Sequence, residues 1–351
     1  MSVSSTAWGS STVCALVALS QVLACGTDPA IDAADGDRSV EQAALRGDEL
    51  AVGDFGVACP AGAGGERIVR LSEVMPGPCD DQLELQNVIF DIGQGGKLIV
   101  DKVCVLDAGL RLPSRFTLAG VNDGGDGTLV FTHDGIGISV CQEAPRQNVT
   151  LEDLAIYGPY SQPGVVSATH SIGIALANLN MVKIERVRVT DFHVGLQGTQ
   201  TFSVEVSHSN ISSHRLDNVV VGYDSNGWRI RDGVVSQAGR YGINVLGPGD
   251  ATPIGTVDTS NDMLIDGVRM ESNAHAAVRT AGYATRITNA RFEGNGASAG
   301  QAFRPAVRVA SAAWGTRVLT NLFGSQSVDC LWNQGTATQQ GFNIPTSVTC
   351  Q

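Results

Sequence analysis

Between Gly135 and Trp332 a two-part motif returns again and again. Its first part is a small residue ahead of a short aliphatic run. Instances are Gly135-Ile136-Gly137-Ile138, Gly173-Ile174-Ala175-Leu176, Gly195-Leu196-Gln197 and Asn218-Val219-Val220-Val221. Gly242-Ile243-Asn244-Val245, Ala277-Val278-Arg279, Ala306-Val307-Arg308-Val309 and Cys330-Leu331-Trp332 follow. The first aliphatics are separated by 38, 22, 23, 24, 35, 29 and 24 residues. The second part lies between them, as in Val149 to Ile156, Val182 to Val189, Val204 to Ile211, Trp228 to Val235 and Met263 to Met270. Asn, Asp or Gly often interrupts it, as in Arg231-Asp232-Gly233, and these residues accept the left-handed backbone of a tight corner. A step near 22 to 24 residues with short strands and small-residue corners predicts a solenoid coil. One coil cannot close a core, but stacking turns inward aliphatics into ladders about 4.8 Å apart. A β-sandwich would also supply short strands, yet it gives no reason for the same motif at each step.

Ahead of the repeat the sequence predicts a helix. Asp81-Gln82-Leu83-Glu84 reads as a capping box, and Leu85, Val88, Ile89 and Ile92 fall on one face. Gly93 to Gly96 ends it, and strand chemistry begins at Lys97. Such a helix would cover the open end of the stack, hiding apolar side chains and unpaired strand edges.

From about Asp80 onward the chain resembles the pectin-lyase-like right-handed parallel β-helix superfamily. The resemblance is carried by Asp80-Asp81, Leu85-Gln86, Ile89, Gly95-Gly96-Lys97-Leu98-Ile99-Val100 and Phe116-Thr117-Leu118-Ala119-Gly120. The family's Pro-Gly-Thr-Tyr stretch is absent, replaced around Asp101 to Leu110. The resemblance implies an all-β, right-handed parallel β-helix with an N-terminal capping α-helix. It further implies that the Gly-Ile-x-aliphatic strands form the sheet beneath a substrate groove, with chemistry on their outward positions. Three long segments, Tyr157 to Thr169, Leu246 to Asn261 and Gly294 to Gln301, would wall that groove.

Taken coil by coil, the residues just before the strand are Asp134, His193, Asp217, Arg240 with Tyr241, His275 and Arg304. Just after its first aliphatic come Gln197, Asn244, Arg279 and Arg308, of which the last three would stack as an outward column. The expected catalytic residues are Asp217, Tyr241, His275 and Arg279, and the expected substrate-binding residues are His193, Arg240, Asn244 and Arg308. Guanidinium forks suit the carboxylates or sulfates of an acidic polysaccharide. For β-elimination at a uronate, Arg240 and Arg279 would neutralise charge while Tyr241 or His275 handles protons. Arg279 is expected to carry the largest share, with little effect on stability when lost. The competing reading is that these arginines cover apolar surface and pair with acids such as Asp250, Asp258 or Glu271. A hydrolase would need two carboxylates instead, and Asp134, Asp217 and Asp329 share the relevant offset. The paired Asp and Gly-His-Gly motifs of polygalacturonase-like members are missing, which counts against that chemistry.

The remaining features bound the setting. A net charge of −12 over 351 residues argues against nucleic acid as the main partner. Val13 to Leu19 followed by Val22-Leu23-Ala24-Cys25 resembles a lipoprotein signal, although no Lys or Arg precedes it. The expectation is a signal peptide over 1–24, lipidation of Cys25, an acidic tether over 25–54, one β-helix domain over 55–351 and an outer-membrane location. Six further cysteines, Cys59, Cys79, Cys104, Cys141, Cys330 and Cys350, suit disulfides in an exported chain. Near-neighbour pairing (Cys59–Cys79, Cys104–Cys141, Cys330–Cys350) is the expectation, though sequence alone does not fix connectivity. No cofactor is expected; Asn122 to Gly127 resembles a calcium loop only as far as any Asn-, Asp- and Gly-rich turn does. His208 and His214 are expected at solvent-facing corners. Two function classes stay open: a lyase-type enzyme on an anionic glycan, and a non-catalytic surface module that binds glycan or acts as a spacer. Few aromatics, 5% of the chain, favour the second, and the cationic column favours the first.

Overall fold

The computed structural model describes residues 65–121, 127–141, 148–161, 170–222, 224–248, 250, 260–296, 305–324, 329–341 and 343–345. They form a right-handed parallel β-helix with three sheets. Among the described residues the first sheet has 11 strands, from Ile68–Arg70 to Gln339–Gly341. The second has 10, from Val103–Leu106 to Ile344–Pro345, and the third 9, from Leu110–Leu112 to Asp329–Asn333. One coil shows the path: Val194–Thr199 in the third sheet, Phe202–Ser207 in the first, Asn210–Ser212 in the second. Each strand pairs in parallel with its counterpart one coil away.

The repeat maps onto this geometry. Ile174, Leu196, Val219, Ile243, Val278 and Val307 are register partners in the third sheet, and all are buried as one inward ladder. Its earlier rung is Ile138, whereas Ile136, expected there, pairs with Ile172 instead. Gly135-Ile136-Gly137-Ile138 offers two glycine–aliphatic frames, and packing selects the second. A Cβ on Gly137 would lie 2.8 Å from Gly173 O and 3.0 Å from the Phe131 ring. The interrupted second motif is two strands joined by a left-handed corner. Asp153, Arg186, His208, Asp232, Gly267, Asn289 and Thr320 all take positive φ at that point.

His208 is exposed at such a corner, but His214 is not at the surface. It is 2% exposed inside the stack, where its Nδ1 accepts from Phe192 N–H (3.1 Å) and its Nε2 lies 3.2 Å from Val189 O. Burial pushes its pKa down to about 3. Gly195 makes room for it, since a Cβ there would lie 2.4 Å from the imidazole Nε2. An isolated His is ambiguous in sequence, and the glycine opposite is what admits the ring.

Capping helix Gln82–Ile92 begins at Asp81, whose side chain accepts from Glu84 N–H (3.0 Å). It buries Leu85, Gln86, Ile89 and Ile92 against the first coil. The buried glutamine has a specific task. Leu110–Leu112 is the terminal strand of the third sheet, so among the described residues one edge has no neighbouring strand. The Gln86 carboxamide donates to Arg111 O (2.8 Å) and accepts from Arg111 N–H (2.8 Å), as a paired strand would. Gln82 Nε2 donates to Gly109 O beside it (2.9 Å). Gln86→Leu keeps the bulk but strands both Arg111 groups, and should lower stability by about 1 to 3 kcal/mol in thermal or urea unfolding. An unchanged midpoint would show that water replaces the carboxamide.

Two of the expected disulfides, Cys59–Cys79 and Cys104–Cys141, are corrected. Cys79 bonds Cys104, with Cα atoms 4.5 Å apart and 25 residues between them in sequence. That separation is one coil, and the two residues form a parallel bridge across it. Register in the stack thus chooses the partner. Cys141 and Cys330 are also disulfide-bonded. Cys25, Cys59 and Cys350 lie outside the described residues, as do the Asn122 to Asp126 turn and much of the three long segments.

Candidate functional site

The outward face of the third sheet carries one continuous column. Register pairs run Arg111, Ser139, Ala175, Gln197, Val220, Asn244, Arg279, Arg308 and Trp332. Strand alternation explains this, because each of these residues follows an inward aliphatic. Asn244, Arg279 and Arg308 therefore stack as expected. Trp332, not singled out from sequence, completes the run and sits at the same offset within Cys330-Leu331-Trp332. The Arg308 guanidinium lies over its ring at 4.6 Å. The same offset would have found it.

A second column stands along the edge before these strands. Backbone bonds join His193 O to Leu216 N–H, Leu216 O to Arg240 N–H, and Arg240 O to His275 N–H. His193, Arg240 and His275 are thus brought together, with Leu216 at the step expected for Asp217. Asp217 falls one residue later and is 0% exposed. Its carboxylate accepts four bonds: Arg240 Nε (2.9 Å), Arg240 Nη2 (2.6 Å), Tyr241 N–H (3.1 Å) and Asn244 Nδ2 (3.0 Å). With both oxygens committed and no solvent contact, Asp217 is a buried counter-ion. It is not placed to exchange a proton with a substrate.

Arg279 belongs to the same block. It donates to Asn244 Oδ1 (3.1 Å) and, through both terminal nitrogens, to Asp250. Its side chain is 6% exposed and that of Asp250 7%. Gly247 N–H holds the Asp250 carboxylate in place (2.9 Å). The competing reading of the arginines therefore applies to Arg279 with Asp250, whereas Glu271 pairs with Arg269 and Asp258 lies outside the described residues. Against the expectation that Arg279 could be lost with little effect on stability, its removal would leave the enclosed Asp250 carboxylate without its cation.

Three groups remain at the C-terminal half of the column. Arg308 is half-buried and donates from Nη1 to the Tyr241 hydroxyl (3.1 Å). Tyr241 itself is fully buried, so it meets a ligand only through its neighbours. His275, half-buried, stands edge-on to the Tyr241 ring with centroids 5.7 Å apart. At the other end of the edge column, burial lowers the His193 pKa below the ordinary imidazole range, opposed by the nearby Asp217 charge. Asp134 lies at the surface and accepts from His170 N–H (3.0 Å). Gln197 keeps its outward place, while Arg304 and the Asp329 side chain fall outside the described residues. The arrangement is a buried ionic block supporting a half-exposed guanidinium, an imidazole and an indole. Its two described carboxylates, on Asp217 and Asp250, are each bound by an arginine, which leaves neither for hydrolytic acid–base work.

No protein-family model matches the chain, and no curated protein matches it in sequence. Solved structures do. The enzymatically active domain of bacteriophage CBA120 tailspike protein 2 is 14% identical with a TM-score of 0.54, over 79% of this chain and 47% of that one. The Geobacillus virus E2 ORF18 protein is 14% identical with a TM-score of 0.51, over 91% of this chain and 64% of that one. The catalytic unit of a GH87 alpha-1,3-glucanase from Streptomyces thermodiastaticus is 14% identical with a TM-score of 0.50, over 80% and 57%. The chain thus spans roughly half to two-thirds of the length of these structures. At such identity the likeness is one of fold, a right-handed parallel β-helix.

Proposed function

We propose that the protein acts on an anionic, uronate-containing polysaccharide by β-elimination at the C-terminal half of the third sheet. The observation that carries this reading is Arg308, held between the Tyr241 hydroxyl and the Trp332 ring. It is a half-exposed cation held through Nη1 and stacked over an indole, pre-organised for a carboxylate. Neutralising a uronate carboxylate makes the proton on the adjacent C5 more acidic. His275 takes that proton, the C4–C5 double bond forms, the C4–O bond breaks, and water protonates the departing oxygen. Tyr241 acts as a positioning residue, setting both Arg308 and His275. Asp217, Arg240, Asn244, Arg279 and Asp250 act as the rigid support beneath, which departs from the direct roles expected of Asp217 and Arg279. The alpha-1,3-glucanase among the solved structures of similar fold makes a glycan substrate a reasonable starting class.

The test is a panel of uronic-acid polymers followed by the absorbance of unsaturated ends and, in parallel, by reducing ends. Arg308→Ala and His275→Ala should each lower kcat/KM by about 100-fold or more. Tyr241→Phe should lower it less while unfolding stability holds. Reducing ends without unsaturation would replace the lyase with a hydrolase. Binding without either product would favour the non-catalytic module, a reading supported by how many of the expected site residues are enclosed in the ionic block.

Export and lipid attachment at Cys25 are part of the proposal, supported by the apolar segment ending at Ala24. Cys25→Ser should move the protein from the membrane fraction to the soluble fraction. Unchanged fractionation would remove the anchor.

A further inference from the structure

A second concavity lies at the other end of the third sheet, far along the column from Arg308. The capping helix Gln82–Ile92 borders the outward face there. It leaves a cleft of about 450 Å³, lined among others by Gln86, Phe90, Arg111, His133, Ile136 and Ser139. We propose that this cleft binds a single acidic sugar unit, a hydroxylated ring bearing one carboxylate.

Three features define that chemistry. Arg111 is half-buried, and its guanidinium makes no ion pair or hydrogen bond among the described residues. Its backbone is clamped by Gln86, so the base of the side chain is fixed. His133 brings an uncharged polar ring to the wall of the cleft. Its Nε2 lies 3.3 Å from Ile136 O, its Nδ1 is buried with no partner, and burial lowers its pKa despite the nearby Asp107 and Asp134. The cleft therefore asks for a ligand that carries an anion for Arg111 and lies beside an uncharged imidazole. Inorganic phosphate or sulfate is too small for the space. Phe90, partly buried against the core, and Ile136 provide an apolar wall for the C–H face of a sugar ring. Ser139 adds a hydroxyl on the column itself.

The site is independent of the groove reading, because Arg111 and Arg308 are seven strand steps apart along the column. The experiment is calorimetric titration of the full chain with sodium glucuronate, glucose, sodium acetate and sodium sulfate. It is carried out on the wild type and on Arg308→Ala, which removes the groove's contribution. Glucuronate should bind both proteins, with glucose and acetate at least about tenfold weaker. Arg111→Gln should weaken glucuronate by about tenfold in either background. Phe90→Leu, which keeps apolar volume, should weaken it less but measurably. A second readout is the His133 imidazole nitrogen signal, which should shift on glucuronate and not on sulfate. Sulfate or acetate binding as tightly as glucuronate, equal glucuronate affinity in Arg111→Gln, or binding lost only with Arg308→Ala would each overturn the assignment.

Discussion

Asp217→Ala should lower the unfolding free energy by about 3 to 5 kcal/mol, the range for removing one partner of an enclosed ion pair. The reason is what stays behind. Arg240 is 5% exposed and loses the two bonds to the carboxylate, while Asn244 Nδ2 and Tyr241 N–H lose their acceptor. Chemical denaturation measures the loss, and a double change separates its two parts. Asp217→Leu combined with Arg240→Met removes both charges and should recover much of the stability lost by either single change. If Asp217→Ala unfolds at the wild-type midpoint, the carboxylate is not the counter-ion of the block. Activity carries the second readout: the double variant should fold yet turn over poorly, because Tyr241 loses a backbone anchor and Arg308 loses its registration.

Acid should weaken the protein through His214. Its folded pKa of about 3 lies well below the unfolded value near 6.5. Between those values the unfolded chain binds a proton that the native state does not. Stability therefore rises with pH across this window and is lost as pH falls from about 6.5 toward 3. For a shift of this size the contribution is on the order of 5 kcal/mol. His214→Asn removes the titration, at the cost of a smaller acceptor for Phe192 N–H. Unfolding midpoints between pH 7 and pH 4 should fall more steeply in the wild type than in the variant. Parallel slopes would show that other groups set the acid limit.

The inward ladder was readable because burial imposes it: Ile174, Leu196, Val219, Ile243, Val278 and Val307 have no alternative to aliphatic side chains. Corner positions were readable because left-handed backbone favours Asp232, Gly267 and Asn289, although Arg186, His208 and Thr320 hold the same conformation without announcing it. At the site, period-two alternation placed Asn244, Arg279 and Arg308 on the outward face. It did not tell that Arg279 is enclosed, because its partner Asp250 stands at a position that no repeat in the sequence marks. Asp217 illustrates the same limit. Offset put it near the groove edge, but a one-residue difference decides between facing solvent and lying under Arg240. The Cys79–Cys104 bond was accessible in principle, since 25 residues is close to one coil, and only proximity along the chain argued otherwise.

The Gln86 carboxamide bears on how copies of this chain meet one another. A stack of parallel strands is a template at both ends, and any exposed strand of a second copy is a substrate for it. At Arg111 the donor and acceptor that would recruit such a strand are already taken by a side chain rooted in the capping helix. End-to-end growth at this face therefore requires expelling the helix and exposing Leu85, Ile89 and Ile92 as well, three apolar side chains now shut away from water. A single carboxamide thus keeps the third sheet finite at that end, by occupying the place where its next strand would have been added.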